Sequence, residues 1–396
     1  MPPHDELLAT ARAETGLDDF GDDSFREGLE LLVRDLQDKA ALNGVGQVSL
    51  PKLIVGLLSQ RLAIEDWYRR HPEIDAEPID APLFGLGLPR TGSTALSFLL
   101  AEDPQARSLR RGEASQPCPP PSTVEGADPR VELGAAELAE IAKLSPRTLS
   151  MLPGSPTGPM ECLSLLALDF KSQYFQAFAY VPNYSHWLLE TADLATAYRY
   201  ERRVLKLLQW GYPARPWRLK TPAHLLFLDH LDLAFPDARF VWTHRDPTQV
   251  IVSVADLCAE VSRRFCDEID LRYLGALNVE HWSVGMARAL AFRDRVEAAG
   301  GDRFYDIDFR AMQDDPVEQI RGLYAWLGEP VTEEFAAGMQ QWWAEYAAKR
   351  EPNVHPEPAR FGIDLDQVRS LFAAYNARVP VWTADKQPRR DRVELL

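Results

Sequence analysis

Residues 82–94, which read PLFGLGLPRTGST, constrain the fold more than any other stretch of the chain. Residues 83–88 are apolar apart from two glycines, which is typical of a strand buried in a parallel sheet. Pro-Arg-Thr-Gly then turns the chain, and an apolar-faced helix is predicted to begin at Ser93. The first N–H groups of a helix have no intrahelical acceptor, and the helix dipole favours negative charge there. The segment therefore predicts an α/β fold with an anion site at this turn.

The predicted turn has the skeleton of a phosphate-binding loop but lacks its lysine. Residues 87–94 fit G-x-x-x-x-G followed by Ser-Thr, and Ser93 stands where the lysine is usual. A kinase or ATPase needs that lysine on the β- and γ-phosphates, and needs Mg²⁺ to neutralise them. The fixed positive charge in this loop is Arg90 instead, which favours a different phosphate-bearing donor. An ordinary strand–turn–helix with an arginine in solvent is the alternative interpretation.

A second candidate anion site lies further along the chain. A short apolar run ending at Thr243 predicts a strand, and Asp246 and Pro247 are typical of a helix start. Arg245 lies at the C-terminal end of that strand, and Ser253 follows about two helical turns later. An arginine can hold a phosphate through two parallel hydrogen bonds, and a serine hydroxyl can add one more. The spacing therefore predicts an anion-binding pair.

These segments resemble the nucleotide-binding motifs of sulfotransferases that use 3′-phosphoadenosine 5′-phosphosulfate (PAPS). Residues 89–94 are similar to the 5′-phosphosulfate loop of that family, and Arg245 with Ser253 is similar to its 3′-phosphate pair. Residues 217–222, WRLKTP, resemble its strand–lysine–proline element. The resemblance runs from about residue 80 to about residue 380. Further elements resemble the bacterial branch of the family, which is related to tyrosylprotein sulfotransferases: residues 280–282, residues 304–309 and the helix start at Asp315-Pro316.

The resemblance implies a set of donor-binding residues and two cations for the chemistry. In-line sulfuryl transfer builds negative charge on the leaving oxygen, and Arg90 and Lys220 are the candidates for neutralising it. Lys220 ends a predicted strand and precedes Thr-Pro, so we expect it to point toward the site. No metal is required if cationic side chains do this. The implied donor-binding residues are Arg90, Thr91, Gly92, Ser93, Thr94, Arg245 and Ser253.

For the general base the resemblance implies Glu113. In tyrosylprotein sulfotransferases and their bacterial relatives, which look similar here, a glutamate at the end of the second strand is the base. Cytosolic aryl sulfotransferases use a histidine instead, and this chain has no histidine between His4 and His186. A surface glutamate paired with its neighbouring arginines is the alternative interpretation. Further candidates to share the acid/base role are Glu161, His224 and His355.

Composition limits the classes of partner. The 396-residue chain has a formal net charge of −16, which disfavours binding to nucleic acid or to an anionic membrane surface. No apolar run approaches the roughly eighteen residues that span a bilayer, and the N-terminus does not resemble a secretory signal. The four cysteines form no C-x-x-C pair, so we expect a reducing, cytoplasmic environment. The oligomeric state stays open, with a homo-oligomer among the alternatives.

We expect one sulfotransferase domain over residues 1–396. Helical segments separate the predicted strands, so the fold class is a P-loop-type, three-layer α/β fold with a central, mostly parallel sheet flanked by helices. The predicted strands are 83–88, 217–220, 239–243 and 303–308. The predicted parts are a helical N-terminal layer (1–78), an α/β core (79–330) with a helical and loop insertion on the acceptor side (112–210), and a C-terminal closing segment (331–396).

The expected function follows from the position of three cationic side chains in the predicted sheet. Ligands of such sheets bind outside the carboxyl ends of the strands, and Arg90, Lys220 and Arg245 all lie at those ends. We predict transfer of the sulfuryl group of PAPS to a hydroxyl of a small molecule, by in-line displacement with a general base. A P-loop small-molecule kinase and a non-catalytic nucleotide-binding protein of the same fold are the alternatives. The acceptor stays open between a phenol, an alcohol, a lipid and a sugar.

Overall fold

One parallel sheet organises the molecule, which a computed structural model describes over residues 1–152, 154–349 and 356–379. Its spatial order is β2-β3-β1-β4-β5, and every pairing between these strands is parallel. The predicted α/β class with a mostly parallel sheet is confirmed. The edge strand β2 was not predicted, because two residues are too few to show a pattern. The strands are β1 (Leu83–Gly87), β2 (Arg107–Ser108), β3 (Trp217–Lys220), β4 (Arg239–His244) and β5 (Phe304–Asp308).

Helices fill the intervals between the strands. No helix in the described part of the chain combines the length and apolar character needed to cross a bilayer. The helices are α1 (His4–Thr15), α2 (Arg26–Asp38), α3 (Gly44–Arg70), α4 (Ser93–Leu100), α5 (Arg111–Ser115), α6 (Arg130–Leu144), α7 (Pro146–Met151), α8 (Leu163–Leu166), α9 (Pro182–Glu190), α10 (Leu194–Gln209), α11 (Leu228–Ala234), α12 (Pro247–Ser262), α13 (Leu271–Ala298), α14 (Phe309–Asp314), α15 (Pro316–Leu327), α16 (Glu333–Lys349), α17 (Leu365–Leu371) and α18 (Ala373–Arg378).

The sheet separates two apolar clusters, which gives the three predicted layers. Successive strand residues point to opposite faces. Phe84 and Phe240 therefore join the larger cluster, which also takes in residues of α1, α2, α3, α10, α12 and α13. Leu83 and Val241 join the smaller cluster, together with residues of α4, α15 and α16. Both faces of the sheet are covered, as a sheet made only of parallel strands requires.

The central strand β1 determines where the Lys220 side chain can lie. All five of its residues are buried between β3 and β4. Gly85 pairs with Lys220 on β3, and a Cβ at Gly85 would come within 2.9 Å of the Lys220 Cγ. Glycine at this position therefore leaves room for the Lys220 side chain to lie across β1.

The first half of the insertion contains two helices in succession. Residues 130–144 form α6, and α7 follows it directly. Helix α7 and Ser145, which lies between the two helices, are tied to α12, because Arg147 pairs with Asp256 at 2.5 Å and Ser145 donates a hydrogen bond to Glu260 at 2.8 Å. This packing places α6 and α7 over the carboxyl edge of the sheet.

The C-terminal part of the chain is described in two pieces. Its helix α16 packs in the smaller apolar cluster, and Phe361, Val368 and Tyr375 pack in the larger one. His355, one of the acid/base candidates, lies outside the described residues. The division of the domain into the three predicted parts stays a prediction.

Candidate active site

A cavity of about 1540 Å³ opens at the carboxyl edge of the sheet. Arg90 follows β1, Lys220 ends β3 and Arg245 follows β4, and all three line this cavity. Gly92, Ser93 and Thr94 line it as well. The structure therefore brings together most of the residues predicted to bind a donor, at one edge of one sheet.

The loop between β1 and α4 leaves a helix N-terminus open to the cavity. Gly92 caps α4 in a left-handed conformation, with a φ of 87°, and contributes no side chain to cap the helix. The first N–H groups of α4 are thus left without a side-chain acceptor, and an anion can take that place. Arg90 has a φ of 66°, which is uncommon for a residue with a side chain and is found at binding loops.

Thr91 holds this loop from behind. Its side chain is buried, and its hydroxyl donates a hydrogen bond to the Leu88 carbonyl at 2.7 Å. A second contact joins it to the Thr243 hydroxyl on β4, also at 2.7 Å. The Thr91 side chain therefore does not line the cavity, because its hydrogen bonds fix the loop to the sheet; the place of Thr91 among the donor-binding residues stays a prediction.

Ser253 and Arg245 both contact Arg90. The Arg90 Nε–H donates to the Ser253 hydroxyl at 3.3 Å, and its guanidinium also bonds the Met151 carbonyl at the end of α7. Arg245 donates to the Arg90 carbonyl at 2.8 Å and lies 4.4 Å from the centre of the Phe309 ring. The two predicted anion sites are thus one polar cluster.

A polar network, buried at His244 and exposed at Asp306, anchors the end of β4 next to Arg245. The ring of His244 contacts Asp306 at 2.8 Å through Nε2 and the Tyr375 hydroxyl at 3.1 Å through Nδ1. Arg293 bonds the same carboxylate at 2.7 Å. Burial opposes the charge, but the hydrogen bonds from His244 and Arg293 hold the pKa of Asp306 well below its usual range. His244 is therefore a structural residue beneath the site.

Lys220 and Glu161 form the central ion pair of the cavity. The Lys220 Nζ donates to the Glu161 carboxylate at 2.5 Å and lies 3.4 Å from the Thr94 hydroxyl. The Thr221 hydroxyl donates to the other Glu161 oxygen at 3.0 Å. Lys220 is almost fully buried, whereas the Glu161 side chain is 25% exposed and faces the cavity. A cation and a carboxylate thus stand side by side at the loop.

Glu113, the predicted base, is placed elsewhere. One of its carboxylate oxygens accepts from Arg107 at 2.7 Å, and the other accepts from the backbone N–H of Arg110 at 3.1 Å, which caps α5. Glu113 is not among the residues that line the cavity. The geometry therefore supports the alternative interpretation, a structural ion pair, because both oxygens are already used.

Behind Lys220 lies a buried cluster of three titratable side chains, Cys162, Glu201 and His224, whose polar atoms fall within 4.8 Å of one another. Burial raises the pKa of Glu201 to about 8, although a hydrogen bond with the Cys162 thiol partly offsets this effect. Burial, together with the charge of Lys220, lowers the pKa of His224 to about 3, and its Nδ1 contacts the Tyr198 hydroxyl at 3.0 Å. His224 is fully buried, so it cannot reach an acceptor in the cavity.

Aromatic side chains that the sequence reasoning missed complete the wall beside the loop. Phe309 begins α14 and lies against Gly92, while Trp342 and Tyr346 stack on α16 with ring centroids 4.9 Å apart. All three line the cavity. The four-residue spacing of Trp342 and Tyr346 on one helix face was the signal available in the sequence.

Many of the side chains that line the cavity are apolar, and the region that they bound is here called the apolar chamber. Four helices and the Tyr174–Phe178 turn surround it. The loop, Lys220 and Arg245 therefore form a polar end, and the chamber forms an apolar end of the same cavity. The apolar side chains of the chamber are Leu50, Leu53 and Leu57 of α3, Leu133, Leu138 and Ile141 of α6, Val254, Leu257 and Val261 of α12, and Leu277 and Trp282 of α13.

Comparison with known proteins gives a consistent result. The model of a family described as the sulfotransferase family matches residues 82–333. The chain is similar to the crystal structure of sulfotransferase STF9 from Mycobacterium avium, with 31% identity, a TM-score of 0.86, and coverage of 94% of this chain and 96% of that one. It is also similar to sulfotransferase STF1 from Mycobacterium tuberculosis H37Rv, with 29% identity, a TM-score of 0.76, and coverage of 93% and 98%. No curated protein sequence gives a significant match.

Proposed function

The chain belongs to the sulfotransferase family, and from this premise we propose that it transfers the sulfuryl group of PAPS to a hydroxyl of a small-molecule acceptor. One observation carries the proposal: Arg90, Lys220 and Arg245 line one cavity at the open N-terminus of α4. A donor with anionic groups at both ends of a nucleoside fits such a set of cations.

The donor is held by the polar end of the cavity. The 5′-phosphosulfate lies at the N-terminus of α4, where the backbone and hydroxyls of Ser93 and Thr94 donate hydrogen bonds. Arg245 and Ser253 bind the 3′-phosphate. Arg90 stands between these groups. Its side chain donates a hydrogen bond to Ser253, and its backbone carbonyl accepts one from Arg245. Thr91 contributes by fixing the loop.

The reaction is an in-line displacement at sulfur. The acceptor oxygen attacks sulfur, the bond between sulfur and the bridging phosphate oxygen breaks, and adenosine 3′,5′-bisphosphate leaves with the electron pair. Lys220 donates a hydrogen bond to the bridging oxygen as its charge grows. Glu161, which lines the cavity beside Lys220, takes the proton of the acceptor hydroxyl. We propose Glu161 in this role in place of Glu113, because the Glu113 carboxylate is already engaged at α5.

Two features of the site favour sulfuryl transfer over the activity of a kinase. Ser93 occupies the position of the phosphate-loop lysine, so the β- and γ-phosphates of ATP would lack their usual partner. The cations Arg90 and Lys220 supply the neutralisation that a kinase takes from Mg²⁺, and the proposed step needs no metal.

The proposal also implies where the reaction takes place. PAPS is a cytoplasmic metabolite in bacteria, and the two sulfotransferase structures compared above come from species of Mycobacterium. The four cysteines are free thiols, as a reducing compartment allows. We therefore infer a bacterial enzyme acting in the cytoplasm.

Thermal unfolding with adenosine 3′,5′-bisphosphate in EDTA tests the donor site. A ligand that binds only the folded state stabilises it by about 2.7 kcal/mol at a hundredfold excess over its Kd. We expect this shift in the wild type and in Arg310→Ala, an exposed arginine on α14, and its loss in Arg245→Ala. No shift in the wild type, or a shift that requires ATP and Mg²⁺, would overturn the proposal. PAPS turnover then separates an enzyme from a non-catalytic binder.

A further inference from the structure

The apolar chamber is long, and α12 runs along it. Ser253 on α12 contacts Arg90 at the polar end. The side chains Val254, Leu257 and Val261 line the cavity at helical spacing, and the helix ends at Ser262, about 13 Å beyond Ser253 at 1.5 Å per residue. The cavity of about 1540 Å³ exceeds the roughly 300–1,000 Å³ of a pocket for one small ligand. It therefore has room for a donor and an extended second substrate.

A cation stands at the far end of this chamber. Arg264 lines the cavity directly after α12, and the start of α3 fixes its backbone. Asn43 donates its backbone N–H to the Phe265 carbonyl at 2.9 Å and its side-chain amide to the Arg264 carbonyl at 3.4 Å. Because α3 begins here and contributes Leu50 and Leu53 to the chamber, Arg264 closes the end opposite the donor loop.

The Arg264 guanidinium is short of partners. Its Nε–H is buried without a hydrogen-bond acceptor, and among the described residues no carboxylate lies within 4.0 Å of it. Burial lowers the pKa of Arg264, although Tyr174 and Glu140 partly offset this effect. The preceding arginine differs, since Arg263 pairs with Glu260 at 3.0 Å and does not line the cavity. The Phe265 ring centre lies 5.0 Å from the Arg264 guanidinium. A half-buried guanidinium that stacks on a ring but has no hydrogen-bond acceptor for its Nε–H and no ion-pair partner among the described residues favours an anionic ligand.

We propose that the acceptor is an elongated amphiphile with a hydroxyl at one end, an apolar body and a carboxylate at the other end. The hydroxyl meets Glu161 and Lys220, the body lies along α3 and α12, and the carboxylate binds Arg264. This inference rests on the proposed function, since it assumes that the polar end holds PAPS. A compact phenol would reach the donor but would leave the chamber and Arg264 unfilled.

Paired acceptors test the proposal through the release of adenosine 3′,5′-bisphosphate from PAPS. The probes are ω-hydroxylauric acid, its methyl ester and phenol. In the wild type we expect the acid to have a kcat/KM about tenfold above that of the ester, through KM, and also above that of phenol. Arg264→Gln should bring acid and ester to within about twofold. Arg263→Gln is the matched control and should keep the wild-type ratio.

A second variant tests the chamber itself. Gly56 of α3 lines the cavity, and a Cβ there meets nothing within 4 Å, so the backbone leaves room to start a larger side chain in Gly56→Phe. We expect it to raise the KM of the acid at least tenfold. The stabilising shift by adenosine 3′,5′-bisphosphate must persist in every variant, which shows that the fold and donor site are intact. Equal use of acid and ester by the wild type, a preference for phenol, or no transfer to any probe would each overturn this inference, and only loss of the nucleotide shift would overturn the donor site.

Discussion

The two ends of the cavity are built in different ways. The polar end takes its loop from seven consecutive residues, 88–94, whose side chains and backbone are fixed by hydrogen bonds to β4 and α12. The apolar chamber takes its walls from α3, α6, α12 and α13, and its side chains are held by packing. Hydrogen bonds demand specific partners at specific distances, whereas apolar packing tolerates exchange of side chains of similar volume. A chain of this kind can therefore keep one donor while its acceptor changes.

Lys220 and Glu161 lie where the two ends meet. Lys220 is placed by β3, next to the central strand, and Glu161 lies within the insertion, between α7 and α8. The backbone N–H of Cys162 donates to the Lys220 carbonyl at 3.0 Å and ties that segment to the strand. The chemistry of transfer is thus expected to depend on a contact between the two regions.

The strongest test of this comparison removes the cation at the junction. Lys220→Met should lower kcat about 1000-fold, because the leaving oxygen loses a donor that acts in the transition state. Lys206→Met is a matched control, since Lys206 bonds Asp75 on the N-terminal side of the molecule. Steady-state kinetics with PAPS measures the effect, and a kcat within tenfold of the wild type would remove Lys220 from the mechanism.

The buried cluster beneath the junction predicts a pH effect on stability. Glu201 has a pKa raised to about 8 in the folded protein, so the folded state holds a proton that the unfolded state has released. The free energy of unfolding should therefore fall as pH rises from the unfolded value through about 8. Between about pH 5 and about pH 8, the free energy of unfolding of Glu201→Gln should fall less than that of the wild type, by on the order of 3 kcal/mol.

Denaturant unfolding of wild type and Glu201→Gln at both pH values measures this difference. His224, whose pKa is lowered to about 3, gives the opposite slope below about pH 6.5, and it remains in both proteins. The difference between the two proteins thus isolates Glu201. Parallel pH profiles for the two proteins would show that Glu201 ionises normally.

Substitutions of two glutamates test which of them is the general base. Glu161→Gln should lower kcat about 100-fold and flatten the pH dependence of kcat, because the variant cannot accept the acceptor proton. Glu113→Gln should keep kcat within about threefold while lowering stability by roughly 1 kcal/mol, because it weakens the cap of α5 and the pair with Arg107. Kinetics and denaturant unfolding of both variants test this, and the reverse pattern would restore Glu113 as the base.

The smallest expected effect concerns the support of the donor loop. Thr91→Val keeps the shape of the side chain but removes its bonds to Leu88 and Thr243, which should cost about 1–2 kcal/mol of stability. It should also weaken the binding of adenosine 3′,5′-bisphosphate several-fold, because the loop is less ordered. Calorimetry measures both quantities, with Thr10→Val on the exposed face of α1 as control. Unchanged affinity would show that the loop needs no such support.

Much of the polar end could be predicted from the sequence, because its information is local. The order of glycines and hydroxyls in residues 87–94, and the position of Arg245 after a short apolar run, are readable along the chain. The prediction that these residues meet at one edge of the sheet followed from the rule that ligands bind outside the carboxyl ends of parallel strands. The prediction for Glu113 did not fit the geometry, since the sequence shows three neighbouring arginines but not that Arg107 and a helix cap take both oxygens.

The sequence by itself determined the parallel α/β sheet, the glycine-containing turn after β1, and the three cations at its edge, because strand, turn and helix starts depend on neighbouring residues. Only the tertiary structure decided that Glu161 meets Lys220, that Glu201 and His224 are buried together, and that Arg264 lines the same cavity as the loop. These contacts join residues far apart in the chain, so their geometry depends on how helices pack around the sheet. Packing of that kind leaves no periodic signal in the sequence that could place one side chain against another.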